Sequence, residues 1–397
     1  MRKLCIIGYG PGDETLLSCK AKDILKTACR ILGTERTART NERVQGMSLA
    51  ELMAELKNPA EGVTAVLVSG DSGFFSAAKN IVWDYSDLYR IELIPGIGCI
   101  QYLSAKIKTP YDDALLISLH GRNCHIVPKV AYNKKIFALT GGSNSVRNIC
   151  LDLNKYGLGD VLVRVGERLS YPDERITSST AADLINTDFD ELAVMYIENL
   201  SAVNPHLPLA DSLFIRGEIP MTKEEIRWLS IQKLGITPAD IVFDIGAGTG
   251  SVSIEMARKA FEGFVYSIET KEEACALIRE NIIKLGAFNI EIVHGEAPMA
   301  LEGLPIPDKV FIGGSSGNMD GIIKKITTLN PGIDIVVNAI SIQTLNQTME
   351  CFKNYGLIET EIINVNIAKS KKTGPYDMMM AQNPVFIISG KGGCNCE

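Results

Sequence analysis

The sequence predicts an α/β protein built from at least two domains. Short apolar or β-branched runs of strand length alternate with stretches long enough for helices, and this alternation is typical of α/β folds. The chain has 397 residues, which is more than a single domain of about 150 residues accounts for. Its 46% hydrophobic and 22% charged residues are the composition of a globular protein, not of a disordered, collagen-like or coiled-coil chain.

Strand-like runs mark the amino-terminal half of the chain. They cover residues 4–7, 65–69, 91–94, 114–118, 135–139, 161–165 and 193–197. The pattern then lapses between residues 198 and 220, where Pro205 and Pro208 interrupt any helix. We therefore expect an amino-terminal domain over residues 1–205 and a linker over 206–220.

The alternation is cleaner after residue 220. Predicted strands cover 241–245, 264–269, 290–294, 309–313 and 333–338, and predicted helices cover 223–234, 251–260, 271–285 and 320–329. Such units predict a doubly wound parallel sheet, which binds ligands at the carboxyl ends of its strands. We place this domain at residues 221–390 and expect a flexible tail over 391–397.

The charge of the chain limits its partners. A formal net charge of -7 argues against broad binding to nucleic acid or anionic membranes, since both need a basic surface. The apolar run that follows Met1 is broken by Gly8, Gly10 and Pro11, too early for a signal peptide, and no run of about 18 apolar residues follows. We expect a cytoplasmic protein with no nucleic-acid or membrane partner.

The 10 cysteines show no spacing that predicts a metal site or disulfides. Most of them stand among apolar neighbours, which predicts buried free thiols. Cys394 and Cys396 offer two of the about four ligands that a structural zinc site needs. No metal site is therefore predicted.

A glycine-rich loop follows the first predicted strand of the second domain. Residues 244–250 read DIGAGTG, and these glycines let the backbone turn tightly and approach a ligand. The third glycine is Gly250, whereas a dinucleotide-binding GxGxxG loop has it one position later. This spacing favours S-adenosylmethionine over NAD, with a plain tight turn as the alternative. Asp244 can accept a hydrogen bond from a ligand amine or order the loop.

The next two strands end on residues that suit the same ligand. Glu269 stands at the end of its strand, where an acidic side chain grips the two hydroxyls of a ribose. His294 ends the third strand. Beyond it, the backbone of Glu296 and Ala297 can contact the edge of an adenine ring. We interpret His294 itself as structural.

The second domain resembles the C15-methylating, decarboxylating enzymes of cobalamin biosynthesis, which have a Rossmann-like class I methyltransferase fold. The shared phrases are MTKEEIR at 221–227, DIGAGTGSVSIE at 244–255, GEAP at 295–298 and FIGGSSG at 311–317. The resemblance implies that an S-adenosylmethionine site is lined by Thr222, Asp244, Gly246, Ala247, Gly248, Thr249, Gly250, Glu269, Glu296 and Ala297. It also implies that Gly313, Gly314 and Gly317 make room for a large, flat acceptor.

The amino-terminal half resembles the tetrapyrrole methylases, which bind cofactor and acceptor in a cleft between two α/β lobes. Three loops that follow strands carry this resemblance, GYGPGD at 8–13, SGDSGFF at 69–75 and IPGI at 94–97, with Ser72 where many members have proline. The lobes are expected at about 1–110 and 111–205. The resemblance implies cofactor contacts at Gly10, Pro11, Asp71 and Pro95.

Two further motifs resemble the C5-methylating member of that family. They are SLHGR at 118–122 and GERLSY at 166–171. They imply acceptor binding by Arg122 and Arg168. The catalytic residues stay unassigned, with His120 and Arg122 as the candidates.

Together the resemblances imply one chain that methylates C5 and C15 of a precorrin or cobalt-precorrin and decarboxylates its C12 acetate. They imply two S-adenosylmethionine sites per chain, a tetrapyrrole substrate and a homo-oligomer. Basic residues are expected to meet the acceptor's carboxylates. Further candidates are Arg36, Arg39, Lys223, Arg227, Lys369, Lys371 and Lys372, although for each of them, and for Arg168, a solvated surface charge is the preferred interpretation. The alternatives are an RNA methyltransferase in the second domain and a non-catalytic cofactor-sensing module.

Overall fold

The computed structural model describes residues 2–38, 43–119 and 125–393. Arg39, His120, Arg122 and the Cys394/Cys396 pair lie outside the described residues. The chain divides into two compact units, the first made of Met1–Cys124 and Asn133–Leu200 and the second of His125–Tyr132 and Ser201–Glu397.

The first unit begins with a five-stranded parallel sheet. Its strands are β1 (Arg2–Gly8), β2 (Arg30–Thr34), β3 (Gln45–Met47), β4 (Val63–Val68) and β5 (Tyr89–Ile94), in the order β3-β2-β4-β1-β5. The helices along this stretch are α1 (Cys19–Thr27), α2 (Glu35–Ala38), α3 (Leu49–Leu56), α4 (Ala78–Tyr85) and α5 (Cys99–Ile107). Strand β1 is an apolar run from Leu4 to Ile7 because both faces of the sheet are covered.

A second sheet completes the first unit. Its strands are β6 (Leu115–Ser118), β7 (Lys135–Leu139), β8 (Leu162–Glu167), β9 (Arg175–Thr180) and β10 (Ala193–Glu198), in the order β6-β7-β10-β8-β9. Only β6 and β7 pair in parallel. Along this stretch lie α6 (Ile126–Tyr132), which belongs to the second unit, α7 (Val146–Lys155) and α8 (Ala181–Leu184).

The second unit contains a seven-stranded sheet. Its strands are β11 (Ile241–Ile245), β12 (Phe264–Glu269), β13 (Ile290–His294), β14 (Lys309–Ile312), β15 (Asp334–Ala339), β16 (Leu357–Val365) and β19 (Val385–Gly392), in the order β13-β12-β11-β14-β15-β19-β16. The first five in this order are parallel, and β19 runs antiparallel to β15 and β16. The α/β fold class predicted from the sequence is confirmed.

Within its described residues, the second unit also contains five further α-helices and a separate two-stranded ribbon. The helices are α9 (Glu224–Leu234), α10 (Ser251–Lys259), α11 (Glu272–Leu285), α12 (Met319–Leu329) and α13 (Ile342–Asn354). Strands β17 (Ala368–Thr373) and β18 (Tyr376–Ala381) pair only with each other in an exposed ribbon. The sequence prediction stopped at residue 338 and therefore missed α13, β16, β19 and this ribbon.

Residues 206–220, predicted as a linker, belong to the second unit and pack against its other elements. Leu209 and Phe214 are 6% and 4% exposed. The backbone N–H of Ile215 donates to Asn281 Oδ1 at 2.7 Å, and the Asn281 amide donates back to the Ile215 carbonyl at 3.1 Å. Apolar residues between the prolines anchor this segment, so it folds as part of the domain.

Arg227 does not have the role of an acceptor-binding cation for which it was a candidate. Its side chain is fully buried, and its guanidinium lies 3.1 Å from the carboxylate of Asp211 and 3.6 Å from that of Glu255. It also donates hydrogen bonds to the carbonyls of Leu209 and Thr222. This arginine therefore ties the segment before α9 to α10 and does not face a ligand.

Two of the cysteines and one run of methionines lie at the surface of the chain. Cys19 and Cys29 are exposed, whereas Cys5, Cys150, Cys275 and Cys351 are buried free thiols. The methionines at 378–380 are 52–65% exposed on β18. Among the described residues, no helix combines the length and the apolar character that crossing a membrane requires.

Candidate cofactor and acceptor site

A backbone contact between two loops shapes the centre of the second unit's site. Gly246 follows β11 with a φ of +75°, and a Cβ placed there would lie 2.7 Å from the backbone nitrogen and oxygen of Gly314. Gly314 belongs to the loop that follows β14, the neighbour of β11 in the sheet. Only glycine fits at position 246, since any side chain would separate the two loops.

These loops border a cavity of about 610 Å³ at the carboxyl ends of the parallel strands. Of the residues predicted from the sequence, its walls include Thr222, Gly246, Ala247, Gly248, Thr249, Glu269, Glu296, Ala297, Gly313 and Gly314. Asp244, Gly250 and Gly317 are not among the lining residues. The glycine loop and the two strand ends beyond it thus meet at one site, as their places in a parallel sheet require.

Glu269 is held in a fixed orientation by backbone groups. Its Oε2 accepts a hydrogen bond from the Gly248 N–H at 2.8 Å, and its Oε1 accepts from the N–H groups of Thr270 and Lys271 at 2.8 and 3.0 Å. The side chain is 8% exposed. A carboxylate offers about four acceptor positions, so Oε2 retains capacity for a ligand hydroxyl.

Asp244 lies behind the cavity wall. Its Oδ2 accepts a hydrogen bond from the Ser253 hydroxyl, which in turn accepts one from Ser267 at 2.7 Å, while Oδ1 has no hydrogen-bond partner among the described residues. Complete burial, reinforced by the nearby Glu269 charge, raises the pKa of Asp244 to about 7. The arrangement favours ordering of the loop over direct contact with a ligand.

The sequence prediction missed the opposite wall of this cavity. That wall includes Ser315, Ser316, Asn338, Ile340, Ile367, Gln382, Asn383 and Val385. The strand that ends at Asn338 was predicted, and its place beside β14 in a parallel sheet is a signal that could have found Asn338 and Ile340. No sequence signal places residues 382–385 beside them, because β19 joins the sheet in the antiparallel direction.

In the first unit the three predicted cofactor loops converge. Gly10 and Gly70 exchange backbone hydrogen bonds of 3.0 and 2.9 Å. The Asp71 carboxylate accepts from the N–H groups of Gly73 at 2.8 Å and Gly96 at 3.1 Å, which joins the second loop to the third. Asp71 therefore has a role within the protein that the motif did not predict.

Other predicted residues of the first unit have distinct surroundings. Pro11 is buried beside Gly10, whereas Pro95 is exposed. Arg168 pairs with the carboxylate of Asp173 at 2.5 Å and lies 3.6 Å from that of Asp190. Since these carboxylates already balance its charge, binding of an acceptor carboxylate by Arg168 requires it to exchange partners.

Comparison with known proteins covers both units. Residues 3–185 match the family model of tetrapyrrole (corrin/porphyrin) methylases, and residues 213–391 match that of a precorrin methyltransferase domain. A probable cobalt-precorrin-6B C(15)-methyltransferase (decarboxylating) from Saccharolobus solfataricus is 43% identical over 48% of this chain and 96% of its own length. A precorrin-6Y C(5,15)-methyltransferase (decarboxylating) from Sinorhizobium sp is 28% identical over 97% of this chain and 95% of its own.

The chain belongs to the precorrin-6Y C(5,15)-methyltransferase (decarboxylating) family. The family resemblance expected from the motifs is confirmed. A crystal structure of a precorrin-6Y C5,15-methyltransferase from Geobacter metallireducens GS-15 shares 35% identity with a TM-score of 0.44, over 46% of this chain and 97% of that one. Membership of this family makes the chain a methyltransferase of cobalamin biosynthesis.

Proposed function

We propose that this chain methylates C5 and C15 of a precorrin or cobalt-precorrin and decarboxylates its C12 acetate, using S-adenosylmethionine at two sites. The observation that supports this most is the combination, in one chain, of both family matches with a cavity of about 610 Å³ beside the glycine loop. We assign C5 methylation to the first unit, and C15 methylation with decarboxylation to the second.

The residues of the second unit fit the cofactor. Gly246 and Gly248 leave the backbone open to close approach, the carboxylate of Glu269 can accept from ribose hydroxyls, and Ala297 lies in the wall near the end of β13. S-adenosylmethionine supplies a methyl group on a positively charged sulfur, which is already an activated electrophile. The buried negative charge of Glu269 suits a positively charged ligand.

The protein's share of the reaction is mainly positioning. A meso carbon of a reduced tetrapyrrole is an enamine-like nucleophile, so transfer of the methyl group needs no strong acid or base from the protein. The contact between Gly246 and Gly314 sets the two loops side by side, and the N–H groups on Glu269 fix one end of the site. Holding two reactants in attack geometry accounts for a large part of such a barrier.

Two valine substitutions test the assignment of one methylation to each unit. Gly248→Val, at a φ of +57° and with Pro220 O 3.1 Å from the added Cβ, should remove C15 methylation and leave C5 methylation. Gly10→Val, at a φ of +77° in the converging loops, should leave a decarboxylated product that lacks the C5 methyl group. The product masses show which methyl group each variant fails to add. Running the assay with both metal-free and cobalt-loaded acceptors also shows which acceptor the chain uses.

Matched glycines control for backbone strain in these variants. Gly303 and Gly157 have φ values of +78° and +77°, and a Cβ at either position meets nothing within 4 Å, so their valine variants should keep both methylations. Titration calorimetry should find two cofactor sites in the unmodified chain and one in each loop variant. A single site in the unmodified chain, or a Gly10→Val product that retains the acetate carboxyl, contradicts the proposal.

The expected partners follow from the same assignment. We infer a soluble homo-oligomer that takes a small tetrapyrrole and does not bind nucleic acid. Light scattering measures the subunit number. Retention on heparin at low salt would contradict the absence of a nucleic-acid partner, since the net charge of -7 gives no broad basic surface.

A further inference from the structure

Among the described residues that line the second unit's cavity, those along one half carry no ionisable group. The lining residues contributed by β14, β15, β19 and the loops next to them offer only glycines, hydroxyls, amides and aliphatic side chains. The charged lining residues are Lys223, which precedes α9, Glu269, which ends β12, and Lys271 and Glu296, which follow β12 and β13. A cavity for an acceptor with many carboxylates therefore has a neutral half.

Amides are concentrated on this neutral half at one edge of the sheet. Ala339 of β15 pairs with Phe386 of β19 in the antiparallel register, so the end of β15 faces the start of β19. This brings Asn338 and Ile340 into one wall with Gln382 and Asn383. We call this set of three amide residues and Ile340 the amide wall.

Asn338 has unused hydrogen-bonding capacity. Its Oδ1 lies 3.0 Å from the hydroxyl of the fully buried Ser230, whose one proton is shared with the Ile226 carbonyl at 2.7 Å. Its Nδ2 is buried and has no hydrogen-bond partner among the described residues. A buried polar atom without a partner costs free energy, and a polar ligand group in the cavity that Asn338 lines would relieve that cost once the amide turns towards it.

The lack of a cation matters because of the chemistry of decarboxylation. In the reaction the bond between the acetate CH2 and its carboxyl carbon breaks, the electron pair stays on the carbon conjugated to the macrocycle, and carbon dioxide leaves. A proton from water then completes a methyl group, so no oxidant or reductant is needed. A cation beside the carboxylate would stabilise the reactant more than the transition state, in which that charge has moved away, and would slow the step.

We propose that the amide wall seats the acetate that is lost as carbon dioxide, and that its neutrality is what permits the loss. This inference rests on the proposed function of the second unit. The amide N–H groups are uncharged donors, so they orient the carboxylate while stabilising its charge less than a lysine or an arginine would. Ile340, whose side chain is 77% exposed, offers an apolar surface at the mouth for the macrocycle.

The test adds a cation to the wall and follows two products. Asn383→Lys and Gln382→Lys should slow decarboxylation relative to C15 methylation by about tenfold or more, so that methylated product retaining the carboxyl accumulates. Asn383→Gln and Gln382→Asn keep an uncharged amide at each position, so they should change the ratio of the two rates much less than the lysine variants do. Asn383 is exposed, so its variants should fold, and cofactor titration of each variant verifies an intact site.

The outcomes separate this inference from the function on which it rests. If the unmodified chain decarboxylates and both lysine variants lose carbon dioxide at the original ratio to methylation, the amide wall does not seat the acetate. An equal effect of the lysine and the amide-retaining variants at both positions also overturns the proposal, because shape and not charge would then be responsible. If the unmodified chain neither methylates C15 nor decarboxylates, the proposed function itself fails.

Discussion

Asp244 shows how far the role of a motif residue depends on its surroundings. In the glycine loop motif it is a candidate for ligand contact, yet its carboxyl group is fully buried and receives the hydroxyl of Ser253. Burial disfavours the charged form, and the negative charge of Glu269 adds to this. The folded protein therefore holds a proton on Asp244 at pH values where an exposed carboxyl has lost it.

This proton predicts a pH-dependent stability. The pKa of Asp244 is about 7 in the folded chain, against 3.8 for an ordinary aspartate, so between these values the folded state binds one proton more than the unfolded state. The free energy of unfolding must fall as the pH rises through this window and lose its dependence on this group above about 7. Asp244→Asn should remove this contribution.

Denaturant unfolding of both proteins at a series of pH values checks the prediction. The free energy of unfolding of Asp244→Asn, relative to the unmodified chain, should rise from about pH 4 to about pH 7 and then level off. Comparison within the pair cancels the other titrating groups. A difference that stays constant across the window would show that Asp244 is ionised in the folded protein.

The segment before α9 illustrates how an apparent linker becomes part of a domain. The guanidinium of Arg227 is buried between the carboxylates of Asp211 and Glu255 and lies 4.8 Å from the Phe214 ring centroid. Burying charges is costly, but removing one partner of a buried group leaves the others uncompensated. The segment therefore depends on this arginine for its attachment.

Arg227→Met tests that dependence. We expect it to lower the free energy of unfolding by about 3–5 kcal/mol, because the buried carboxylate of Glu255 loses the cation that lies 3.6 Å from it and keeps only neutral donors. Lys233→Met is the matched control, since the ion pair of Lys233 with Glu361 lies at the surface and is worth at most about 1 kcal/mol. Equal losses for the two variants in denaturant unfolding would contradict the buried role.

The two units are not separated by a single cut in the chain. Helix α6 lies between β6 and β7 in sequence but belongs to the second unit. Within that unit the Val203 N–H donates to the Ala131 carbonyl at 2.9 Å, and the Tyr132 hydroxyl lies 3.4 Å from Asn289 Oδ1. Tyr132 is 7% exposed, and burial raises its pKa above the usual range.

A fragment that starts at Ser201 should therefore be less stable than the same unit in the intact chain. Loss of α6 uncovers apolar surface, at about 1.5–3 kcal/mol for each large side chain that was fully buried. Thermal unfolding should show a lower Tm for the fragment. Fusing residues 125–132 to its start through a flexible linker should restore part of the difference, and an unchanged Tm without them would show that α6 does not stabilise the unit.

Much of this protein is determined by local sequence. Residues 4–7 of β1 and 65–68 of β4 are continuous apolar runs, and β11, β12 and β13 alternate with α10 and α11, so their burial and order follow from pattern and length alone. The loop at 244–250 and Glu269 could be placed at one site because parallel strands end at the same edge of a sheet. These are statements about nearby residues and fixed geometry.

Tertiary structure alone decided the rest. Asn338 and Asn383 line the same cavity because β19 turns back antiparallel beside β15, and no local pattern encodes which strands become neighbours. Arg227 has the sequence appearance of a surface cation, but its burial depends on carboxylates that the fold brings from before and after it in the chain. The physical reason is the same in both cases: charge and hydrogen bonding are balanced between residues that are distant in sequence, and only packing shows which ones meet.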